Sequence, residues 1–217
     1  MSDFVVLSDF DGTIAEDLSE IIYSKFASVG LYYADLWSQG LISTPEEITQ
    51  TFATINASQS QLTGAVIQAH VDPDFSHFVE LCRAKKYHVA IVSDGLELFI
   101  RTLLAHHGVE DIDIYANRIH FVNGGYEFSF PWRDKRCPHS GVCKPLVIEK
   151  FHQQGKQVIY IGDGKSDREA IHVADFIYAK DQLLGYCRKE NVPAFEYENF
   201  NSLIKAIELG DFSPPRS

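Results

Sequence analysis

Five short apolar runs, with helix-length segments lying between them, constrain this chain more than anything else in it. The runs cover 4–8, 88–92, 112–115, 157–161 and 176–179, with helix-length segments at 75–85, 96–107, 144–154 and 167–174. Continuous rather than alternating apolarity marks strands covered on both faces. Strands alternating with helices predict an α/β fold, a doubly wound parallel sheet with helices on either side. In open sheets of this kind ligands sit outside the carboxyl ends of the strands.

Two stretches interrupt the alternation. Residues 14–74 contain no convincing strand but carry helical periodicity, with a helix start at Thr44-Pro45-Glu46-Glu47. This is too long for a loop, so an inserted helical subdomain is expected over 15–74, with 1–14 and 75–217 forming the core. Residues 118–130 flank Asn123-Gly124-Gly125, a hairpin signal. The tail 213–217 is expected to fray.

The strand ends carry the chemistry. The first run ends in Asp9-Phe10-Asp11-Gly12-Thr13, the second in Ser93-Asp94-Gly95, and the fourth in Gly162-Asp163-Gly164-Lys165-Ser166-Asp167. Alternate residues leaving a strand point the same way, so the carboxylates of Asp9 and Asp11 are neighbours. They repel unless a cation lies between them. Asp163 and Asp167 complete an all-oxygen set that suits Mg²⁺ rather than zinc. Gly12, Gly95 and Gly164 are expected to let the backbone close in and offer amides to an anion. A single aspartate at a strand end is ordinarily a cap or turn residue, which is the plain alternative for Asp94. Ser93 by itself reads as an N-cap and Lys144 as a solvated lysine.

Taken in order, Asp9-Phe10-Asp11-Gly12-Thr13, Ser93, Lys144 and the 162–167 cluster resemble the four signature elements of the haloacid dehalogenase superfamily. The insertion after the first strand is similar to the cap of its phosphoserine phosphatase-like branch. The resemblance implies an aspartyl-phosphate mechanism with Asp9 as nucleophile and Asp11 as acid and base. It implies Mg²⁺ held by Asp9, Asp163 and the backbone carbonyl of Asp11, with Asp167 supporting. Ser93, Asp94, Gly95, Gly12 and Lys144 are expected around the phosphate. The implied partner is a small phosphomonoester, taken by a monomer or homodimer. A phosphomutase or a phospho-acceptor signalling module are the alternatives in class.

Substrate expectations come from the insertion. From 15 to 74 its only lysine or arginine is Lys25, so no cap arginine can grip the carboxylate of phosphoserine. Trp37-Ser38-Gln39-Gly40 and Cys143-Lys144-Pro145 resemble the methionine-salvage phosphatases, whose substrate, 2-hydroxy-3-keto-5-methylthiopentenyl-1-phosphate, needs no cap cation. Tyr23, Phe26, Tyr32, Tyr33, Trp37 and Phe52 read mainly as packing residues, with one or two to line a pocket for an uncharged, partly apolar leaving group. Phosphocholine or phosphoethanolamine is a third option, where acidic and aromatic residues of the insertion would meet a cationic head group.

Composition sets the remaining limits. A net charge of −11 argues against a nucleic-acid partner and requires any phosphate site to carry its own positive charge. Arg133, Lys135 and Arg136, just before Lys144, read as a local positive rim or as a solvated basic loop. No apolar run approaches the roughly 20 residues of a membrane span, and Met1-Ser2-Asp3 has no basic start. Cys82, Cys137, Cys143 and Cys187 form no disulfide framework, which favours a reducing cytoplasmic setting. Cys137, His139 and Cys143 offer three metal ligands where a structural zinc takes a fourth, so a plain loop with reduced thiols is expected instead.

Overall fold

A computed structural model describes residues 4–27 and 29–212, so the expectations for 1–3 and 213–217 fall outside the described residues. Seven strands form one sheet in the order β4-β3-β2-β1-β5-β6-β7. They are β1 (Phe4–Ser8), β2 (His88–Leu96), β3 (Asp113–Val122), β4 (Gly125–Ser129), β5 (Gln157–Gly162), β6 (Phe176–Ala179) and β7 (Phe195–Glu196). All pairings are parallel except the β3–β4 hairpin, which closes at Val122 opposite Gly125. The runs read separately as a strand and a hairpin arm are one continuous β3.

The period of two along β1 sorts its side chains into two cores. Val5 and Leu7 face a layer built from α7 (Lys144–His152) and α8 (Asp181–Glu190), with Val147, Ile148, Leu183 and Leu184. Phe4 and Val6 belong to the opposite core, supplied by α5 (Phe75–Ala84), α6 (Glu97–His106) and α9 (Phe200–Leu209). No helix among the described residues is long and apolar enough to cross a membrane.

Between β1 and α5 lie α1 (Leu18–Phe26), α2 (Gly30–Ser38), α3 (Thr44–Phe52) and α4 (Gln59–Val66). Local chemistry defines their starts. Asp17 caps α1 by accepting from the amides of Ser19 and Glu20. Ser43 and Glu46 form a capping box at α3, whose first turn holds Pro45. The apolar faces of α1, α3 and α4 extend the second core through Ile22, Ile48, Phe52 and Leu62. Phe52 also packs edge-on against Tyr126 and Phe128 of β4. The Tyr126 hydroxyl donates to Ala57 O at 2.6 Å, so the hairpin props the inserted helices from the side.

One expected helix is absent. Residues 165–172 form two short 3₁₀ turns, Lys165–Asp167 and Ala170–His172. The cause is Asp167, whose carboxylate turns back to accept from the amides of Asp163 at 3.0 Å and Gly164 at 2.9 Å. That closure tightens the chain where an α-helix would otherwise start.

Candidate active site

At the carboxyl edge of the sheet, β1 and β5 deliver their acids side by side. Asp9 leaves β1 still paired to its neighbour, its amide donating to Ile161 O at 2.8 Å. Lys144, the first residue of α7, reaches up between them. Its Nζ donates to Asp9 Oδ1 at 2.8 Å, to Ser166 Oγ at 3.1 Å and to Asp167 Oδ1. Lys144 is 2% exposed and Asp167 is fully buried, so these are charges held out of water. Burial disfavours the Lys144 ammonium, yet the Asp167 and Asp9 carboxylates outweigh it and keep the lysine charged.

One lysine does not neutralise this group. Asp9, Asp163 and Asp167 each offer an oxygen, and the three lie within 4.8 Å of one another. Burial first, and then the Asp167 carboxylate, push the pKa values of both Asp9 and Asp163 upward. Thr13 Oγ1 donates to Asp163 Oδ1 at 2.8 Å and holds that carboxylate in place. Three crowded oxygens short of positive charge fit a hard divalent cation. The carboxylate of Asp11 is not among them, which leaves its backbone carbonyl as what Asp11 can offer a metal.

Asp11 stands apart in a different environment. Its Oδ1 accepts from the amide of Leu18 at 2.9 Å, where α1 begins, and its Oδ2 accepts from Ser93 Oγ at 3.3 Å. Burial, with the Asp17 charge adding to it, pushes the Asp11 carboxyl up to about 7. Two carboxyls two residues apart therefore do different things: Asp9 faces the lysine and the acids, and Asp11 titrates near neutrality.

Three residues expected at the phosphate, Gly12, Asp94 and Gly95, also bond within the protein, and the last two line the cavity described below. Gly12 has φ +80° and donates its amide to Ala15 O at 2.8 Å, and a Cβ there would lie 2.5 Å from Asp163 Oδ2. Its value is close approach, not an open amide. The amide of Gly95 is taken by Ser93 Oγ at 2.9 Å. Asp94 has both oxygens engaged, Oδ1 by the amide of Val142 at 2.6 Å and Oδ2 by Thr44 Oγ1 at 2.9 Å. Ser93 and Lys144 lie beside Asp11 and Asp9 respectively. The structure also brings in residues that sequence reasoning passed over. Tyr160 donates its hydroxyl to Asp167, and its only earlier sign was a polar atom inside an apolar strand. Asp17 also joins the wall described next, beside Tyr23, already noted among the aromatics of the insertion, and Glu47, read only as part of a helix start.

A cavity of about 420 Å³ opens from Asp9 and Asp11 beneath the inserted helices. Its far wall is apolar, with Leu18, Ile22, Ile48, Phe52 and Phe99, and is broken by Tyr23 and Glu47. Lys165 closes one side, donating to Ser38 O at 2.7 Å and lying 5.7 Å from the Trp37 ring centroid. Arg133, Lys135 and Arg136 do not line it. Arg136 is paired with Asp134 at 3.0 Å and Glu149 at 2.6 Å, and the stretch is an exposed basic loop. The cysteine expectation is corrected: Cys137 and Cys143 form a disulfide, so neither sulfur is a reduced thiol or free for zinc. Their Cα atoms are 5.4 Å apart, within the usual reach of a disulfide. Cys82 and Cys187 are free and buried.

This arrangement has relatives. A family model for haloacid dehalogenase-like hydrolases matches residues 6–172. The chain is 30% identical to a 2-hydroxy-3-keto-5-methylthiopentenyl-1-phosphate phosphatase of Bacillus velezensis, over 94% of this chain and 89% of that one. It is 28% identical to a protein of the same name from Brevibacillus brevis, over 94% and 95% of the two chains. Among solved structures, a phospho-aspartyl intermediate analogue of phosphoserine phosphatase superposes with a TM-score of 0.65 at 18% identity, covering 93% of this chain and 97% of that one. With sequence similarity running through nearly its whole length, the chain belongs to the haloacid dehalogenase-like hydrolase family.

Proposed function

We propose that the protein is a magnesium-dependent phosphomonoester hydrolase that works through an aspartyl-phosphate on Asp9. The observation that carries this reading is the division of labour between Asp9 and Asp11. A carboxylate held against Lys144 suits nucleophilic attack on phosphorus, which forms the Asp9 Oδ–P bond and breaks the P–O bond to the leaving group. A carboxyl held near neutrality by burial suits protonation of that leaving oxygen, then removal of a proton from the water that cleaves the acyl phosphate. Ser93 and Lys144 are placed to bind the phosphoryl oxygens. Asp9, Asp163 and the backbone carbonyl of Asp11 would hold the magnesium ion, supported by Asp167. The ion supplies positive charge against the negative charge spread over the transferring group.

The helices of 15–74 act in this reading as a cap that selects the leaving group. Among the described residues the cavity wall has no lysine or arginine besides Lys165, and the cap's Lys25 is exposed. A leaving group with its own carboxylate, as in phosphoserine, finds no arginine there, and Lys165 already donates to Ser38 O. An uncharged, partly apolar one fits the wall of Leu18, Ile22, Ile48 and Phe52. The similarity to phosphatases named for 2-hydroxy-3-keto-5-methylthiopentenyl-1-phosphate supports that compound as the substrate.

The test is phosphate release from 4-nitrophenyl phosphate with and without magnesium. Activity is expected only with the metal, lost in Asp9→Asn and reduced at least about a hundredfold in Asp11→Asn. Full activity in Asp9→Asn would overturn the mechanism. A panel of phosphoserine, phosphocholine and the methylthiopentenyl phosphate then decides the substrate.

A further inference from the structure

The carboxylate of Asp167 is fully occupied by donors of the chain itself. Its Oδ2 accepts from the amides of Asp163 at 3.0 Å and Gly164 at 2.9 Å, and its Oδ1 accepts from Lys144 Nζ and the Tyr160 hydroxyl. An ionised carboxylate has about four acceptor positions, so none is left for a metal ion. Asp167 adds its charge to the acidic group, but its lone pairs serve its neighbours. Lys144 is saturated likewise, its three ammonium protons going to Asp9, Ser166 and Asp167. Asp9 and Ser166 line the cavity, whereas Asp167 and Tyr160 do not. Two of the lysine's bonds therefore face the reaction space, and the third fixes the ammonium from within the protein.

Tyr160 is what fixes Asp167 in turn. Of the other donors to that carboxylate, two are amides of its own loop and one is the end of the long Lys144 side chain. Tyr160 comes from the sheet: it sits within β5, in register with Leu7 of β1 on one side and Ile177 of β6 on the other. Its side chain is fully buried in the core shared with α7 and α8. Ring and loop are so close that a Cβ at Gly162 would lie 3.0 Å from Tyr160 Cε1 and 2.6 Å from Asp167 Oδ2. Phenylalanine would fill the same space without carrying a polar atom into an apolar layer, so the hydroxyl is kept for its bond to Asp167.

We infer that Tyr160 is a positioning residue for phosphoryl transfer, whose hydroxyl holds Asp167 as the anchor that aims Lys144 at the phosphoryl oxygens. The inference rests on the hydrolase reading and deepens it by one residue. As the Asp9 Oδ–P bond forms, the Lys144 hydrogen bond to Asp9 has to move to a phosphoryl oxygen. That exchange keeps its geometry only while the ammonium is held elsewhere, and Asp167 holds it. Without the phenol proton Asp167 Oδ1 has Lys144 as its sole partner, so it draws the lysine inward and away from the cavity.

The experiment uses the full-length protein and takes three readings: kcat/KM for 4-nitrophenyl phosphate, inhibition by orthovanadate with magnesium present, and calorimetric binding of magnesium alone. Tyr160→Phe should lower kcat/KM and vanadate affinity together by at least about tenfold, the scale of losing a group that orients an active-site ligand. Vanadate reports the effect because it mimics the transferring group in its transition state. Magnesium affinity should keep its wild-type value, because Asp167 serves the lysine. In a Lys144→Met background, Tyr160→Phe should cost no further vanadate affinity, since the hydroxyl acts through that lysine. Tyr160→Met also lacks the hydroxyl and must give the same readings if the phenylalanine variant folds poorly. Unchanged vanadate affinity, a magnesium shift as large as the vanadate shift, or full additivity with Lys144→Met would each overturn the inference. A wild type that does not hydrolyse 4-nitrophenyl phosphate sinks the hydrolase reading and this inference with it. An active wild type matched by its Tyr160→Phe variant removes this inference alone.

Discussion

Thr44 Oγ1 donates to Asp94 Oδ2 at 2.9 Å, and the same threonine oxygen accepts from Trp37 Nε1 at 3.0 Å. The contact joins α2 and α3 to the end of β2, next to Ser93. Thr44→Val keeps the shape and leaves both partners short of a bond, a loss of about 1–3 kcal/mol. Amides of α2 and α3 should exchange faster in this variant while those of β1 and β5 keep their protection, and KM should rise more than kcat falls. Equal loss of protection in β1 and β5 would show that the bond stabilises the whole molecule instead.

Lys144 sits against Asp9 and Asp167 with all three buried. Removing one partner of such a group strands the others, at a cost of about 3 kcal/mol or more. Lys144→Met should therefore lower the melting temperature most in a chelating buffer, and magnesium should recover part of the loss by supplying charge to the same oxygens. Melting curves with chelator and with magnesium check this; an identical shift in both would contradict it.

Gly12 leaves no room for a side chain, because a Cβ would meet Asp163 Oδ2 at 2.5 Å and φ is +80°. Gly12→Ala should displace Asp163 without touching Asp9 or Lys144. We expect the magnesium concentration for half-maximal activity to rise at least about tenfold, the usual scale for disturbed metal-site geometry. An unchanged magnesium dependence would argue that Asp163 does not hold the ion.

Glu47 ties stability to pH. Its folded value of about 7 lies above the ordinary 4.5, so between these values the folded protein binds more protons than the unfolded chain. The stabilising contribution of the neutral carboxyl is complete below about 4.5 and is lost as pH rises through about 7. Burial causes this, Asp17 and Asp94 add to it, and Tyr23 and Thr51 oppose it. Glu47→Gln should be more stable than wild type at pH 8, by on the order of 3 kcal/mol, with the advantage shrinking toward pH 5. Urea unfolding of both proteins at several pH values measures it; a gap that does not vary with pH would refute it.

Most of the sheet was legible because buried strands announce themselves as apolar runs, and the acids at their ends could be read from position alone. Asp9, Asp163, Asp167, Ser93 and Lys144 do come to one edge. Asp94 and Gly95 line the same cavity, but a local reading could not show which partner each polar group takes; Val142 is far along the chain from Asp94. Glu47 read as an ordinary acid at a helix N-terminus, and only its burial against the cavity sets it apart. Tyr160 was hidden inside an apolar strand. The Cys137–Cys143 bond left no local signal either, since pairing depends on how the loop between them folds. The helix expected over 167–174 gives way to 3₁₀ turns at Lys165–Asp167 and Ala170–His172 because Asp167 is pulled into the site.

The segment 130–143 has a consequence for how this protein can drift. It is a surface loop, the kind of place where insertions are normally absorbed. Yet its backbone carries the His139 carbonyl that accepts from the amide of Thr44 at 2.8 Å and the Val142 amide that donates to Asp94, and it runs directly into Lys144. Its length is thus a shared measurement between the inserted helices and the sheet edge. A single added residue would put both ends out of step, so length variation among descendants of this chain should collect at the β3–β4 turn and spare this loop.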